Sequence, residues 1–198
     1  MRATPSVRRR LGAIAVAAAV AVAGLAGLLA VQAASSASPS IGGVGEADGV
    51  LPEGVTVFDE QHDGVTRLAP ELLDALRAAA TDAAADGIEL LVTSGWRSPA
   101  YQQRLLDEAV AQYGSAAEAA RWVATPETSA HVSGEAVDIG PAAASAWLSG
   151  YGAAYGLCQS YANELWHYEL RPDAIENGCP VMYADPTEDP RMLSDAAR

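Results

Sequence analysis

Two short stretches of the 198-residue sequence carry side chains that could act together on a bound ion or a scissile bond. The first, Thr128 to Pro141, reads "TSAHVSGEAVDIGP" and places His131 seven residues before Asp138. The second is Glu164-Leu165-Trp166-His167. The chain has only three histidines, so the position of two of them beside carboxylates is informative. On a straight strand His131 and Asp138 would lie about 23 Å apart on opposite faces. On a helix they would lie about 10 Å apart along the axis. Neither regular element lets both bind one ion, but a turn at Ser133-Gly134 brings them together, with glycine tolerating the backbone angles required. Asp138 then projects from the strand face opposite Val137 and Ile139.

Hydrolytic zinc chemistry needs about three protein ligands, an open position for water and a carboxylate to take the water's proton. His131, Asp138 and His167 can supply the ligands, and Glu164 the base. Taken singly, each stretch also fits a plainer reading, a packed or surface histidine or a turn-forming aspartate. Both on one short chain favour the metal site.

Other chemistries are removed by composition. All twelve basic residues are arginines. Without lysine there is no Ser-x-x-Lys nucleophile, no Lys-Thr-Gly element and no phosphate-loop lysine. A Gly-x-Ser-x-Gly elbow and a His-Glu-x-x-His helix are also missing from the sequence. Setting aside the four arginines at the N-terminus leaves eight against 25 acidic residues, a net charge of −17. Such a surface repels nucleic acid and anionic lipid headgroups, so no nucleic-acid partner is expected.

Arg2, Arg8, Arg9 and Arg10 precede an uncharged run, Leu11 to Val31, followed by "QAASSASPS". This is the pattern of an export signal, with cleavage after Ala33, or of an uncleaved single-pass anchor, since the run approaches the ~20 residues that span a bilayer. Either leaves the remainder outside the cytoplasm, membrane-tethered or secreted. Cys158 and Cys179 are then in an oxidising compartment and are expected to pair, fixing the Glu164 to His167 segment between them. The alternative is a catalytic thiol at Cys158. The expected organisation is an anchor or signal at 1–33, a flexible linker at 34–54, a catalytic domain at 55–185 and a polar tail at 186–198.

The elements that must position these residues follow from periodicity and punctuation. Apolar residues recur at helical spacing through Pro70 to Ala85, with Pro70 suited to a first turn and Gly87 to the stop. Pro99 to Tyr113 and Ser115 to Val123 read as two more helices, split by Gly114, and Ala142 to Tyr155 as another. Strands are expected at Ile88 to Val92, around Val137 to Ile139, and at Leu165 to Leu170. Without regular strand–helix alternation the class is α+β, a small mixed sheet flanked by helices.

With these residues in view, the sequence resembles a known family. Ser129 to Asp138 is similar to the S-x-H-x-x-G-x-A-x-D motif of VanY-type zinc D-alanyl-D-alanine carboxypeptidases. Glu164-Leu165-Trp166-His167 matches their E-x-W-H, and Ser94-Gly95-Trp96-Arg97-Ser98 with Gln102 resembles an upstream S-G-[YW]-R-S…Q element. The resemblance runs from about Val55 to Tyr183. It implies the hedgehog/DD-peptidase fold, zinc on His131, Asp138 and His167, and Glu164 as general acid/base. It further implies that Arg97 contacts substrate or the developing oxyanion, with Gln102 and Ser129 as secondary polar contacts. Trp166 is read as packing beneath the metal, and His62 as a surface residue.

The expected function is therefore removal of the C-terminal D-amino acid from peptidoglycan stem peptides by a monomeric zinc peptidase. L,D-carboxypeptidase or wall endopeptidase activity on the same fold, and a non-hydrolytic zinc-stabilised binding module, are the alternatives. Glu164 separates the last from the others, since a binding module has no use for a base beside an open metal position.

Overall fold

The computed structural model describes residues 43–193. The anchor or signal expected at 1–33 and the start of the linker lie outside the described residues, among which no helix is long and apolar enough to cross a membrane. Helices α1 (Asp63–Thr66), α2 (Pro70–Ala85), α3 (Pro99–Tyr113), α4 (Ala116–Ala119), α5 (Ala130–Ser133), α6 (Ala142–Tyr151), α7 (Ala174–Asn177) and α8 (Pro190–Leu193) surround four strands. The strands are β1 (Leu91–Ser94), β2 (Ala136–Gly140), β3 (Leu157–Gln159) and β4 (His167–Leu170), ordered β1-β2-β4-β3.

All three strand pairings are antiparallel, so the sheet is not mixed as expected. Strands β2 and β3 run in the same direction, joined by the crossover through α6, but β4 lies between them, so no neighbouring pair is parallel. Alternation along β2 and β4 divides the sheet into two chemically different faces. Val137, Ile139 and Tyr168 face a core closed by Leu72, Leu76, Ala79 and Ala83 of α2, with Leu148 of α6 and Leu157 of β3. Fully burying each of the larger side chains contributes roughly 1.5–3 kcal/mol. Asp138, His167 and Glu169 occupy the opposite face.

Helix α2 has the bounds that its proline and glycine signals predict, and α3 is bracketed by the Ser98 hydroxyl, which accepts from Tyr101 N, and by Gly114 in the left-handed region. The strand expected at Ile88 to Val92 begins later, because Ile88 N is engaged in closing α2 through Ala83 O. The expected strand from Leu165 also begins later, at His167. Within the expected linker, Asp48 is already docked: its carboxylate accepts from Gly45 N and from the Ser98 hydroxyl. The expected polar tail is docked as well, with Asp189 fully buried and Pro186 and Met192 lining a cleft.

Candidate active site

Gly134 ends α5 with φ of 77°, and a Cβ there would lie 2.4 Å from Arg67 O. A larger residue is therefore excluded both by the left-handed backbone and by space. The reversal lifts His131 from α5 over β2, so the turn expected at Ser133-Gly134 is the end of a single helical turn. The "SGWRS" segment leaving β1 grips that turn from the other side. Gly95 O accepts from His131 Nδ1 at 2.8 Å, Trp96 Nε1 donates to Val132 O, and Arg97 N donates to His131 O. A Cβ on Gly95 would meet Gly64 O at 2.0 Å, which explains glycine at this crossing.

His167 arrives from the neighbouring strand, where it is the Cα partner of Asp138. Glu164 lies one turn earlier: His167 N donates to Glu164 O at 3.0 Å, so the three-residue spacing of the motif is a reverse turn. The turn lies within the loop closed by the Cys158–Cys179 disulfide, and no free cysteine is present among the described residues. The thiol-nucleophile alternative is thereby removed.

Three atoms converge. His131 Nε2 is 3.2 Å from His167 Nδ1 and 3.4 Å from Asp138 Oδ1, and His167 Nδ1 is 3.3 Å from the same oxygen. Each of the three side chains is at least nine-tenths buried, and Asp138 Oδ1 has no hydrogen-bond partner. The far nitrogen of each imidazole is already committed as a donor, Nδ1 of His131 to Gly95 O and Nε2 of His167 to Glu169 Oε1 at 3.3 Å. With the far nitrogens so committed, the two near nitrogens and the carboxylate oxygen face one another, an arrangement relieved by a shared proton or by a metal cation between them. Tetrahedral zinc with bonds of about 2.0–2.2 Å separates its ligand atoms by about 3.3–3.6 Å. The triangle observed matches that spacing, and these residues fit a metal ion.

The electrostatics answer the same need. Burial, reinforced by Arg97, pushes the His131 imidazole down. Burial would also lower His167, but its contacts with Asp138 and Glu169 outweigh this and push it up to about 9. Burial would raise Asp138, yet the two imidazoles and Arg97 hold it well below the usual carboxylate range. Glu164 stands apart: burial pushes its carboxyl up to about 7, and Oε1 is buried without a partner while Oε2 lies 3.9 Å from His167 Nδ1. A carboxyl poised near neutrality beside a metal-ligand cluster suits proton transfer.

These groups line a cleft of about 400 Å³ together with Arg97, Gln102, Ser129, Tyr161 and Trp166. Arg97 is more engaged than a free substrate contact: Nη2 donates to Asp138 Oδ2 at 2.7 Å, Nη1 to Gln102 Oε1 and Nε to the Ser94 hydroxyl. Of its five N–H groups, two remain without a partner among the described residues. Gln102, expected as a polar substrate contact or helix surface, is 1% exposed and spends its amide on Arg97 and on Ala124 O. Its position on α3 faces inward because Ala109, seven residues on, marks the same buried stripe. Ser129 is the buried N-cap of α5, and its hydroxyl has no partner among the described residues. Trp166 is 44% exposed at the cleft rather than packed beneath the histidines. His62 pairs with Glu46 at 2.8 Å, away from the cleft lining.

Glu169 was not identified from sequence. It is 2% exposed and contacts His167 Nε2, Arg171 and Arg191. The available signal was alternation, since His167 and Glu169 are two apart on one strand and must share a face.

Comparison with known proteins agrees with this geometry. Residues 65–173 match the VanY family of D-alanyl-D-alanine carboxypeptidases. A curated D-alanyl-D-alanine carboxypeptidase of Enterococcus faecalis is 35% identical over 127 residues, which cover 52% of this chain and 46% of that protein. The chain thus spans about half the length of the curated relative it matches. Among solved structures, the D,D-pentapeptidase VanY of a VanB-type vancomycin resistance cassette, in complex with Zn(II), is 30% identical with a TM-score of 0.52, covering 56% of this chain and 75% of that one. The LdcB LD-carboxypeptidase is 26% identical with a TM-score of 0.52, covering 65% and 71% respectively. The match over more than half of its length establishes that the chain belongs to the VanY D-alanyl-D-alanine carboxypeptidase family.

Proposed function

We propose that this chain is a zinc-dependent peptidase that hydrolyses the C-terminal D-amino acid from peptidoglycan stem peptides. The observation that carries the reading is the convergence of His131 Nε2, His167 Nδ1 and Asp138 Oδ1 within 3.2–3.4 Å, with Glu164 beside them at the cleft. His131, Asp138 and His167 would hold the ion. Bound there, zinc supplies Lewis-acid polarisation of the scissile carbonyl and a water acidified to a pKa of about 7.

The remaining steps belong to the chain's own side chains. Glu164 Oε1, buried and without a partner, takes a proton from the attacking water and returns it to the leaving amine. A carboxyl near 7 can both accept and give that proton near neutral pH. Arg97, anchored by Asp138, Ser94 and Gln102, turns its two remaining N–H groups toward negative charge on the substrate. The Ser129 hydroxyl offers a further polar contact at the cleft wall.

The named activities of the relatives support a D,D-carboxypeptidase and, through the LdcB likeness, an L,D-carboxypeptidase as the second reading. The disulfide supports action outside the cytoplasm, with residues 1–33 as signal or anchor. The test is incubation of the purified domain with defined muropeptides, with and without chelator, with products identified by mass. Loss of one D-alanine from a stem ending in D-Ala-D-Ala is expected, and cleavage confined to tetrapeptide stems would install the second reading. Glu164→Gln should lower kcat by about 10²–10⁴-fold while retaining zinc. A Glu164→Gln variant as active as wild type would remove the hydrolytic assignment.

A further inference from the structure

We propose that Arg191, reaching back from the C-terminal segment, is a positioning residue for the metal centre, clamping Glu169 so that this carboxylate holds His167 with Nδ1 toward the ion. The proposal rests on the reading of His167 as a metal ligand. Glu169 lies on β4 two residues beyond His167 and is 2% exposed. A buried carboxylate needs all its lone pairs engaged, and the strand supplies only part of what it requires.

The rest comes from arginine. Arg191 Nη1 donates to Glu169 Oε2 at 2.6 Å and Nη2 to Oε1 at 3.0 Å, a two-pronged contact that fixes the plane of the carboxylate. Arg171 Nη2 adds a third bond to Oε2 at 2.8 Å. The oxygen facing His167 is thereby left with one remaining direction, into which Nε2 points. An acceptor at that nitrogen keeps the proton on Nε2, and the lone pair stays on Nδ1 where Asp138 and His131 meet it.

Arg191 is itself fixed. Asp189, fully buried, accepts from Arg191 N and Nε, and from the hydroxyl of Tyr161, whose ring centroid is 5.2 Å from that of His167. The segment is further tied through Asp185 to Arg121 at 2.8 Å. Residues 185–192 therefore form a strap with two duties. Its Pro186 and Met192 wall the cleft, and its Arg191 completes the support of a ligand that lies 24 residues earlier.

The experiment uses the purified protein, stripped of metal and titrated with zinc against a chromophoric chelator, with apoprotein unfolding recorded in parallel. Three variants are compared: Arg191→Met keeps the stem but removes the fork, Arg191→Lys restores the charge through a single point, and Arg77→Met removes a remote ion pair with Glu60. Arg191→Met is expected to weaken zinc binding about 10–100-fold and to shift the visible spectrum of the cobalt-substituted protein. Arg191→Lys should recover part of that affinity, and Arg77→Met should bind zinc as wild type does whatever its effect on unfolding. Should Arg191→Met fail to fold, the lysine variant decides, with affinity reduced several-fold expected. Wild-type affinity in both Arg191 variants, or an equal loss in Arg77→Met, overturns the proposal. Wild-type protein that takes up no zinc overturns the metal reading itself.

Discussion

Gln102 offers a sharp test of how the cleft is built, because its side chain touches Arg97 rather than open solvent. Substituting leucine keeps the volume and removes two bonds: the one accepted from Arg97 Nη1 at 3.2 Å and the one donated to Ala124 O at 2.8 Å. At 1% exposure, water cannot readily replace them. A hydrogen bond to a charged group contributes about 1.5–3 kcal/mol and a neutral one about 1 kcal/mol, so a stability loss of about 2–4 kcal/mol is expected. For a domain of this size that lowers the unfolding midpoint by roughly 5–15 °C. Arg97 keeps its bonds to Ser94 and Asp138, so the charge stays while the guanidinium is freed to pivot. Calorimetry and steady-state release of D-alanine are the assays. We expect kcat to fall about tenfold, corresponding to about 1.4 kcal/mol, with KM within about twofold. Gln102→Glu separates the two bonds: it can still accept from Arg97 but cannot donate to Ala124 O, so it should lose stability and retain most of kcat. A tenfold rise in KM with kcat and midpoint unchanged in Gln102→Leu would refute the argument and return Gln102 to direct substrate contact.

Zinc affinity should depend on pH with a defined slope. His167 is held up to about 9, so below that pH a proton occupies the site that the metal needs, while His131 and Asp138, both lowered, bring none. Apparent affinity should rise about tenfold per pH unit between 7 and 9 and level above, and a flat or twofold steeper profile in chelator competition contradicts the assignment. Replacing both Cys158 and Cys179 by serine opens a loop with a separation of 21 residues. The unfolded chain then gains entropy equivalent to about 3 kcal/mol, and the midpoint should fall by roughly 6–12 °C, whereas a shift under about 2 °C shows that the bridge constrains little.

Much of the site was legible because its residues lie close together in sequence or at motif spacing. His131, Asp138, Glu164 and His167 could be named from residue type and from a spacing that no straight element satisfies. Helices α2 and α3 carried proline and glycine signals at their ends, and their bounds followed. What sequence did not disclose depends on long-range partners. Arg97 reads as a contact for substrate or the oxyanion, and its bond to Asp138 at 2.7 Å emerges only when β1 and β2 pair. Glu169 reads as an ordinary strand carboxylate until Arg191, from a stretch with a tail's composition, is seen against it. Strand β3 is three residues long and has no alternation of its own, since it is defined by pairing with β4.

The register of the central strand pair has a consequence for quality control. Asp138 and His167 face one another as Cα partners, and strand side chains alternate strictly, so a slip of one residue in either strand sends one of them to the opposite face. A misregistered molecule would keep much of its backbone pairing yet could not assemble three ligand atoms. The same slip would turn Val137 and Ile139, or Tyr168, out of the core, so ion capture would add by mass action to a discrimination that burial already makes. The metal would thus be a second proofreader of the sheet that carries it.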